Sequence, residues 1–124
     1  MILYLDTSTK TCKIHFDDTE YTFETDRNLA RDLLKLLSDV LAKNHKTFRD
    51  LTALVFFKGP GSFTGLRIGA TVLNTLAHEL QIPIIGETDE NWCAKAKPRL
   101  ANQENDRLIL PLYGCPANIT TPRK

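Results

Sequence analysis

The sequence predicts an α/β fold, built on one mixed five-stranded sheet in the order β-β-β-α-β-α-β-α with helices on both faces. Three short runs of β-type residues open the chain. Two long segments with helical periodicity follow, and each of them leads into a short apolar run. Right-handed crossovers between parallel strands then place the helices on the faces of the sheet.

The first three strands are predicted to form an antiparallel meander. Residues 2–5 are an apolar run that ends at Asp6, which is typical of a central strand buried on both faces. Residues 10–16 alternate between apolar and polar side chains. Residues 17–19 have the composition of a hairpin turn, and the alternation continues through 21–23.

Two amphipathic helices are predicted, over residues 27–43 with Asp26 as the N-cap and over residues 63–80. The apolar arc of the first helix spans about 160°, whereas one sheet needs only about 100°. The surplus indicates either deep burial against sheet and neighbouring helix or a second packing surface. On the second helix Gly65 and Gly69 share one face, so we expect a close packing contact there.

The remaining elements are shorter. Residues 51–57 and 82–85 are predicted as buried strands, with Pro83 near a strand start or on an edge. Residues 89–97 are predicted as a short helix that Pro98 stops.

Residues 1–97 are predicted to be the folded domain, and residues 98–124 a connector and tail. Within the second part, residues 107–113 are a possible extra strand, and the tail from Gly114 is expected to be loosely ordered.

Composition limits the function classes. The 124 residues carry a net charge of +1, so any contact with nucleic acid is expected to be indirect or to need a local basic patch. No apolar stretch approaches the roughly 20 residues of a membrane span, so no membrane contact is expected. The cysteines, Cys12, Cys93 and Cys115, are odd in number and widely spaced, which favours a reducing cytoplasm over a disulfide framework.

A glycine-rich segment joins the fourth strand to the second helix. Its members are Gly59, Pro60, Gly61, Ser62, Phe63, Thr64, Gly65, Arg67 and Gly69. One interpretation is a tight strand-to-helix corner. The other is phosphate binding by the free N–H groups of the helix start, with Lys58 and Arg67 nearby. The segment matches neither the P-loop pattern nor the G-x-S-x-G pattern.

We predict no catalytic residue, metal or cofactor. His15, His45 and His78 lie in separate segments without metal-ligand spacing. Ser62 has no base that the sequence assigns to it, and nothing marks Cys93 as activated.

The string from Gly59 to Gly69, GPGSFTGLRIG, closely resembles the signature of the TsaB (YeaZ) family. Residues 2–8 and 82–86 are also similar to the family, and the resemblance covers roughly residues 1–97. It implies a ribonuclease-H-like core of the ASKHA superfamily. Typical members continue into a second domain, so the chain resembles only the N-terminal domain, either as a natural minimal form or as a truncated chain.

The resemblance implies a non-catalytic subunit that binds and activates a TsaD-like enzyme in making the N6-threonylcarbamoyladenosine (t6A) of tRNA. In the family the first two helices of this domain pack against those of TsaD or of another TsaB. Carried over by position, the interface lies on helices 27–43 and 63–80, through which a homodimer is possible when the enzyme is absent. The predicted interface residues are Leu29, Leu33, Leu36, Leu37, Val40, Gly65, Gly69, Leu73 and Leu76.

The resemblance also implies that Asp6, Thr7 and Ser8 occupy the position where ASKHA kinases hold metal and phosphate. No glycine stands beside the acid here, so we interpret the three as vestigial side chains that satisfy backbone groups at the turn. Two alternatives remain open: an ASKHA-type phosphotransferase or hydrolase acting as a homodimer, and a diverged homodimeric regulator. Magnesium-dependent ATP binding distinguishes the first alternative from a scaffold.

Overall fold

The computed structural model describes residues 1–16, 19–25 and 28–111. Its elements follow the predicted order. They are β1 (Ile2–Asp6), β2 (Thr11–Phe16), β3 (Thr19–Glu24), α1 (Leu29–Lys43), a 3₁₀ helix (Phe48–Asp50), β4 (Ala53–Phe57), α2 (Phe63–Leu80), β5 (Ile84–Glu87) and α3 (Trp92–Ala101).

The five strands form one mixed sheet in the spatial order β3-β2-β1-β4-β5. Strands β1, β2 and β3 pair antiparallel, and β4 pairs parallel with both β1 and β5. Leu3 on β1 lies opposite Leu54 on β4, which in turn lies opposite Ile84 on β5. The meander and the crossovers are therefore confirmed.

Helices cover both faces of the sheet, as predicted. The larger core lies between one face and helices α1 and α2, and it includes Leu33, Leu73 and Phe56. The smaller core lies under α3, where Ala96 packs with Tyr4. Both faces of the central strand β1 are therefore buried.

The first helix starts later than predicted. Asn28 is the N-cap of α1, without a side-chain cap hydrogen bond, and the predicted N-cap Asp26 lies outside the described residues. Thr25 donates from its amide nitrogen and its hydroxyl to the carbonyl of Lys10, at 2.7 and 2.8 Å. These bonds hold the chain on the meander up to residue 25, so the helix begins only afterwards.

The third helix shows that the predicted stop at Pro98 is wrong. Helix α3 contains this proline and continues to Ala101, across the predicted boundary between residues 97 and 98. Pro98 cannot donate a backbone hydrogen bond, but its carbonyl accepts one from Asn102 at 3.0 Å. Arg99 anchors the last turn through ion pairs, whose partners are Glu87, Glu104 and Asp106.

The predicted strand over residues 107–113 does not form within residues 107–111, and residues 112–113 lie outside the described part. Side chains close the edge of β5 instead. The backbone N–H of Ile84 donates to Asn105 Oδ1 at 3.1 Å, and that of Gly86 to Asp106 Oδ2 at 2.8 Å. A sixth strand is unnecessary here because these side-chain oxygens already satisfy the two donors.

Ile109 is buried although it belongs to no strand. Its backbone N–H donates to Asn74 Oδ1 at 2.8 Å, and its carbonyl accepts from Asn74 Nδ2 at 3.1 Å. The amide of an α2 side chain thus pairs with Ile109 as a neighbouring strand would.

Candidate functional site: a closed glycine corner and an open helix surface

The glycine-rich segment packs against the end of β1. We call the contact between residues 59–69 and residues 6–8 the glycine corner. Gly59 has a φ of 126°, a conformation that favours glycine. The backbone N–H of Ser62 donates to the carbonyl of Ser8 at 2.8 Å. This hydrogen bond joins the turn before α2 to the turn after β1.

The glycines on α2 allow the helix to touch the sheet. A Cβ atom on Gly65 would overlap the carbonyl oxygen of Thr7. A Cβ atom on Gly69 would overlap the Thr7 hydroxyl and lie 2.6 Å from Cε1 of Phe56. A close contact at this face was expected, and the residues that make it belong to the chain itself: Thr7, directly after β1, and Phe56 on β4.

The polar side chains of the corner bond within the corner. The buried hydroxyl of Thr7 donates to the carbonyl of Gly65 at 2.7 Å. One carboxylate oxygen of Asp6 accepts from the amide and the hydroxyl of Ser8, at 2.8 and 2.6 Å. Ser62 is the N-cap of α2, and its hydroxyl accepts from the Gly65 amide at 3.4 Å. These contacts correspond to the interpretation of a tight corner with satisfied backbone groups.

An open groove of about 710 Å³ lies beside the corner. Thr9, Lys10, Ser62 and Ile68 are among its lining residues, and none of the described lining residues is acidic. The guanidinium of Arg67 lies over the ring of Phe63, 5.8 Å from its centroid, on the exposed start of α2. The described walls of the groove therefore offer a divalent cation no carboxylate.

The described residues contain no group of three His, Cys, Asp or Glu side chains that could hold a metal ion. His15 lies on β2, His78 on the last turn of α2, and His45 after α1. None of the described helices is long and apolar enough to cross a membrane.

Sequence reasoning missed a side-chain cluster under α3. The Sγ of Cys93 lies 3.4 Å from Nε2 of His15. The imidazole stacks on the Trp92 ring and packs at a tilt of 50° against the Tyr4 ring. Burial lowers the pKa of His15 and raises the pKa of the Cys93 thiol to about 11. The pair is therefore a neutral thiol beside a neutral imidazole rather than an activated nucleophile. The alternation of β2 places His15 on the face of the sheet opposite Cys12, and this was the sequence signal that could have located the cluster.

The structure separates the predicted interface residues into two groups. Seven of them are buried within the chain, where they have no surface for a partner, because they face the sheet and the neighbouring helix. These seven are Leu29, Leu33, Leu37, Val40, Gly65, Gly69 and Leu73. Leu36 and Leu76 are partly exposed.

Leu36 faces away from α2. It lines a groove with Phe23 of β3 and with Asp39. Helical geometry places Leu34 about 160° around α1 from Leu36, which is the side toward α2. Leu34 is 50% exposed.

On α2, Ile68, Val72 and Leu76 are half-buried and four residues apart, so they follow one side of the helix. Ile68 lines the open groove together with Leu29 of α1, which shows that this side faces the first helix. We call Leu34, Ile68, Val72 and Leu76 the α1–α2 stripe. It is an accessible apolar part of the two helices, apart from Leu36 on α1 and Phe63 on α2, which is 55% exposed.

Comparisons with known proteins match this fold and these motifs. Residues 23–110 match the family model described as TsaD: tRNA N6-adenosine threonylcarbamoyltransferase. The chain belongs to this family. The expected similarity to TsaB (YeaZ) is also confirmed, since curated relatives and solved structures of that name match the chain.

The TsaB protein of Haemophilus influenzae, named a tRNA threonylcarbamoyladenosine biosynthesis protein, is 32% identical over 108 residues, which are 84% of this chain and 46% of that protein. The TsaB of Bacillus subtilis is 39% identical over 88 residues, 67% of this chain and 38% of the relative.

YeaZ from Pseudomonas aeruginosa superposes with a TM-score of 0.64 at 30% identity, over 82% of this chain and 49% of that one. A second structure from that organism, described as similar to the peptidase YEAZ, superposes with a TM-score of 0.67 at 31% identity, over 79% of this chain and 47% of that one. The chain spans less than half the length of these relatives.

Proposed function

We propose that this chain is a non-catalytic, cytoplasmic TsaB-like subunit that binds and activates a TsaD-like enzyme in t6A biosynthesis. The names of the curated relatives support the pathway. The observation that carries the binding role is the α1–α2 stripe, an apolar surface on the two helices that the resemblance assigns to the partner.

The glycine corner supports the non-catalytic part of the proposal. A phosphate at the start of α2 would need free N–H groups, but the amides of Ser62 and Gly65 already donate to Ser8 and Ser62 oxygens. Asp6 uses one carboxylate oxygen on Ser8. A ligand on either of these two amides, or on this carboxylate oxygen, would require these bonds to break first.

The α1–α2 stripe supports the partner. Leu34 on α1 is half exposed, so a helix pair from another protein could cover it. A second copy of the chain offers the same surface, so a homodimer is expected when the enzyme is absent. The tRNA substrate would then be held chiefly by the enzyme.

The test measures solution mass by light scattering, for the chain alone and mixed with the TsaD-like protein of the same organism. We expect a mixed complex that forms at the expense of the free chain, and a faster rate of t6A formation in its presence. Leu34→Asp should weaken this complex at least about tenfold, because it places a charge in an apolar contact. Leu108→Asp is the matched control, since Leu108 is 60% exposed and belongs to neither helix.

If both variants weaken the complex equally, or if neither weakens it, the α1–α2 stripe is not the partner surface. A homodimer that ignores the TsaD-like protein would favour the diverged regulator. Magnesium-dependent ATP binding by the chain alone would favour the phosphotransferase alternative. Circular dichroism of both variants shows whether the fold is retained.

A further inference from the structure

The turn that follows α1 concentrates positive charge. We call Lys43, His45, Lys46 and Arg49 the basic turn. All four are exposed, and they lie within seven consecutive residues. Residues 95–99 also hold three cations, but there Lys95 and Arg99 form ion pairs with acids.

The backbone of the basic turn is held in place. His45 has a positive φ of 59°, its N–H donates to the carbonyl of Ala42, and that of Lys46 donates to the carbonyl of Leu41 at 2.9 Å. These bonds have the pattern of a Schellman C-cap. Asn44 Nδ2 also donates to the carbonyl of Val40 at 2.8 Å. The cationic side chains therefore project from a fixed scaffold.

The 3₁₀ helix fixes the second half of the turn. Thr47 and Asp50 form a capping box, in which the Thr47 N–H donates to Asp50 Oδ2 at 2.8 Å. This hydrogen bond, together with the nearby Lys46 and the amino terminus, lowers the pKa of Asp50. The hydrogen bond from Thr47 is the largest of these causes, and Asp50 forms no ion pair within 4.0 Å among the described residues.

The basic turn has few acidic partners. Residues 43–50 contain three of the chain's sixteen Lys and Arg residues and one of its fifteen acids, so their charge of +2 exceeds that of the whole chain. Within the described residues, no carboxylate lies within ion-pair distance of Lys46 or Arg49. By contrast, Lys95 pairs with Glu87 and Asp89.

We propose that the basic turn binds the phosphodiester backbone of RNA. Two unpaired cations on a rigid turn can neutralise successive phosphates, with Arg49 as the planar donor and Lys46 as a point charge. Lys43 is already positioned, 5.7 Å above the ring of Tyr21. That the RNA is a tRNA rests on the proposed function. The contact is direct, and it goes beyond the indirect contact that net charge alone predicts.

The location of the basic turn keeps it free for this contact. Thr52 bonds to the start of β1, with its N–H donating to the carbonyl of Met1 at 2.8 Å. The turn therefore lies at the amino ends of β1 and β4, whereas the glycine corner follows their carboxyl ends. RNA on the basic turn would not compete with a ligand at the corner.

The experiment measures the affinity of the chain for a fluorescently labelled tRNA transcript by anisotropy, over a series of salt concentrations. The test variant is Lys46→Ala/Arg49→Ala. The control is Lys13→Ala/Lys97→Ala, which removes the same charge from exposed positions on β2 and α3. We expect roughly tenfold weaker binding for the test variant at about 50 mM salt, and a salt slope smaller by about two. The control should keep the wild-type slope.

Equal affinities and slopes for wild type and test variant would overturn the proposal, as would an equal loss in the control. Failure of the proposed function is separate, because it is measured by light scattering with the TsaD-like protein. If only the test variant loses RNA binding and no mixed complex forms, the basic turn is supported as an RNA site and the proposed role in t6A biosynthesis is contradicted. If a mixed complex forms but the chain binds no RNA, the proposed function is supported and the RNA site on the basic turn is contradicted. Circular dichroism confirms that both double variants fold.

Discussion

The glycine corner and the α1–α2 stripe belong to the same helix pair but differ in what covers them. At the corner, glycines bring α2 into contact with Thr7 and Phe56 of the sheet, and the polar atoms bond to each other. Along the stripe, Leu34 remains half exposed. The glycines without side chains thus mark a contact inside the chain, and the surplus apolar side chain marks a surface that stays accessible.

Gly65→Ala is expected to have the largest effect on stability, because its new Cβ would meet a backbone carbonyl that cannot rotate away. Overpacking of this kind costs about 3 kcal/mol, of which better helix propensity returns about 1 kcal/mol. Urea unfolding measures the loss. Thr64→Ala, at an exposed position one residue earlier, should change the free energy of unfolding by less than about 0.5 kcal/mol. Equal stabilities for the two variants would show that the corner is not tightly packed.

Thr7→Val tests the polar half of the corner with little change in volume. It removes the hydroxyl that donates to the Gly65 carbonyl at 2.7 Å, and should lower the free energy of unfolding by about 1 kcal/mol. Thr22→Val on β3 is the control, since Thr22 is exposed. An unchanged midpoint for Thr7→Val would mean that the hydroxyl contributes nothing to the corner.

At the α1–α2 stripe we expect a substitution to affect partner binding more than stability. Leu34→Asp, which should weaken the partner complex, is expected to lower the free energy of unfolding by only about 1 kcal/mol because the side chain is already half in water. A large loss of stability would show that Leu34 belongs to the core of the chain. The α1–α2 stripe would then not differ from the glycine corner in being accessible.

The smallest effect is expected from His15, which lies on the opposite face of the sheet from both regions. Its pKa is lowered from 6.5 by burial, while Glu20 raises it and Lys97 lowers it further. The unfolded chain therefore takes up the proton first, and the free energy of unfolding falls as the pH decreases below about 6.5. His15→Gln should remove this part of the pH dependence, as followed by the fluorescence of Trp92. Parallel pH profiles for the two proteins would contradict it.

The sequence predicted a mixed five-stranded sheet, the order of the elements along the chain and both long helices, because alternation and helical periodicity are local signals. It did not predict which apolar residues of α1 and α2 face the sheet. On α2 the face toward the sheet carries the contact of the Gly65 carbonyl with Thr7, which is 58 residues away. A pattern within one helix shows that a face is apolar or bare, but not what lies against it.

The end of α3 shows a second limit of prediction from sequence. Pro98 indicated a stop, but Arg99 joins three acids, one of them on β5, and these ion pairs hold the last turn. The Asn74 bonds to Ile109 also connect residues 35 positions apart. Contacts that join distant side chains to backbone leave no periodic trace in the sequence.

The side-chain closure of β5 makes the two edges of the sheet unequal. Asn105 and Asp106 occupy the outer donors of β5, so another chain could extend the sheet only along β3, the opposite edge strand. Two copies joined there antiparallel about Thr22 would place Glu20 of each opposite Glu24 of the other. Like charges directly opposite destabilise such a pair. One edge is thus closed by structure and the other by repulsion, which protects the sheet against edge-to-edge aggregation.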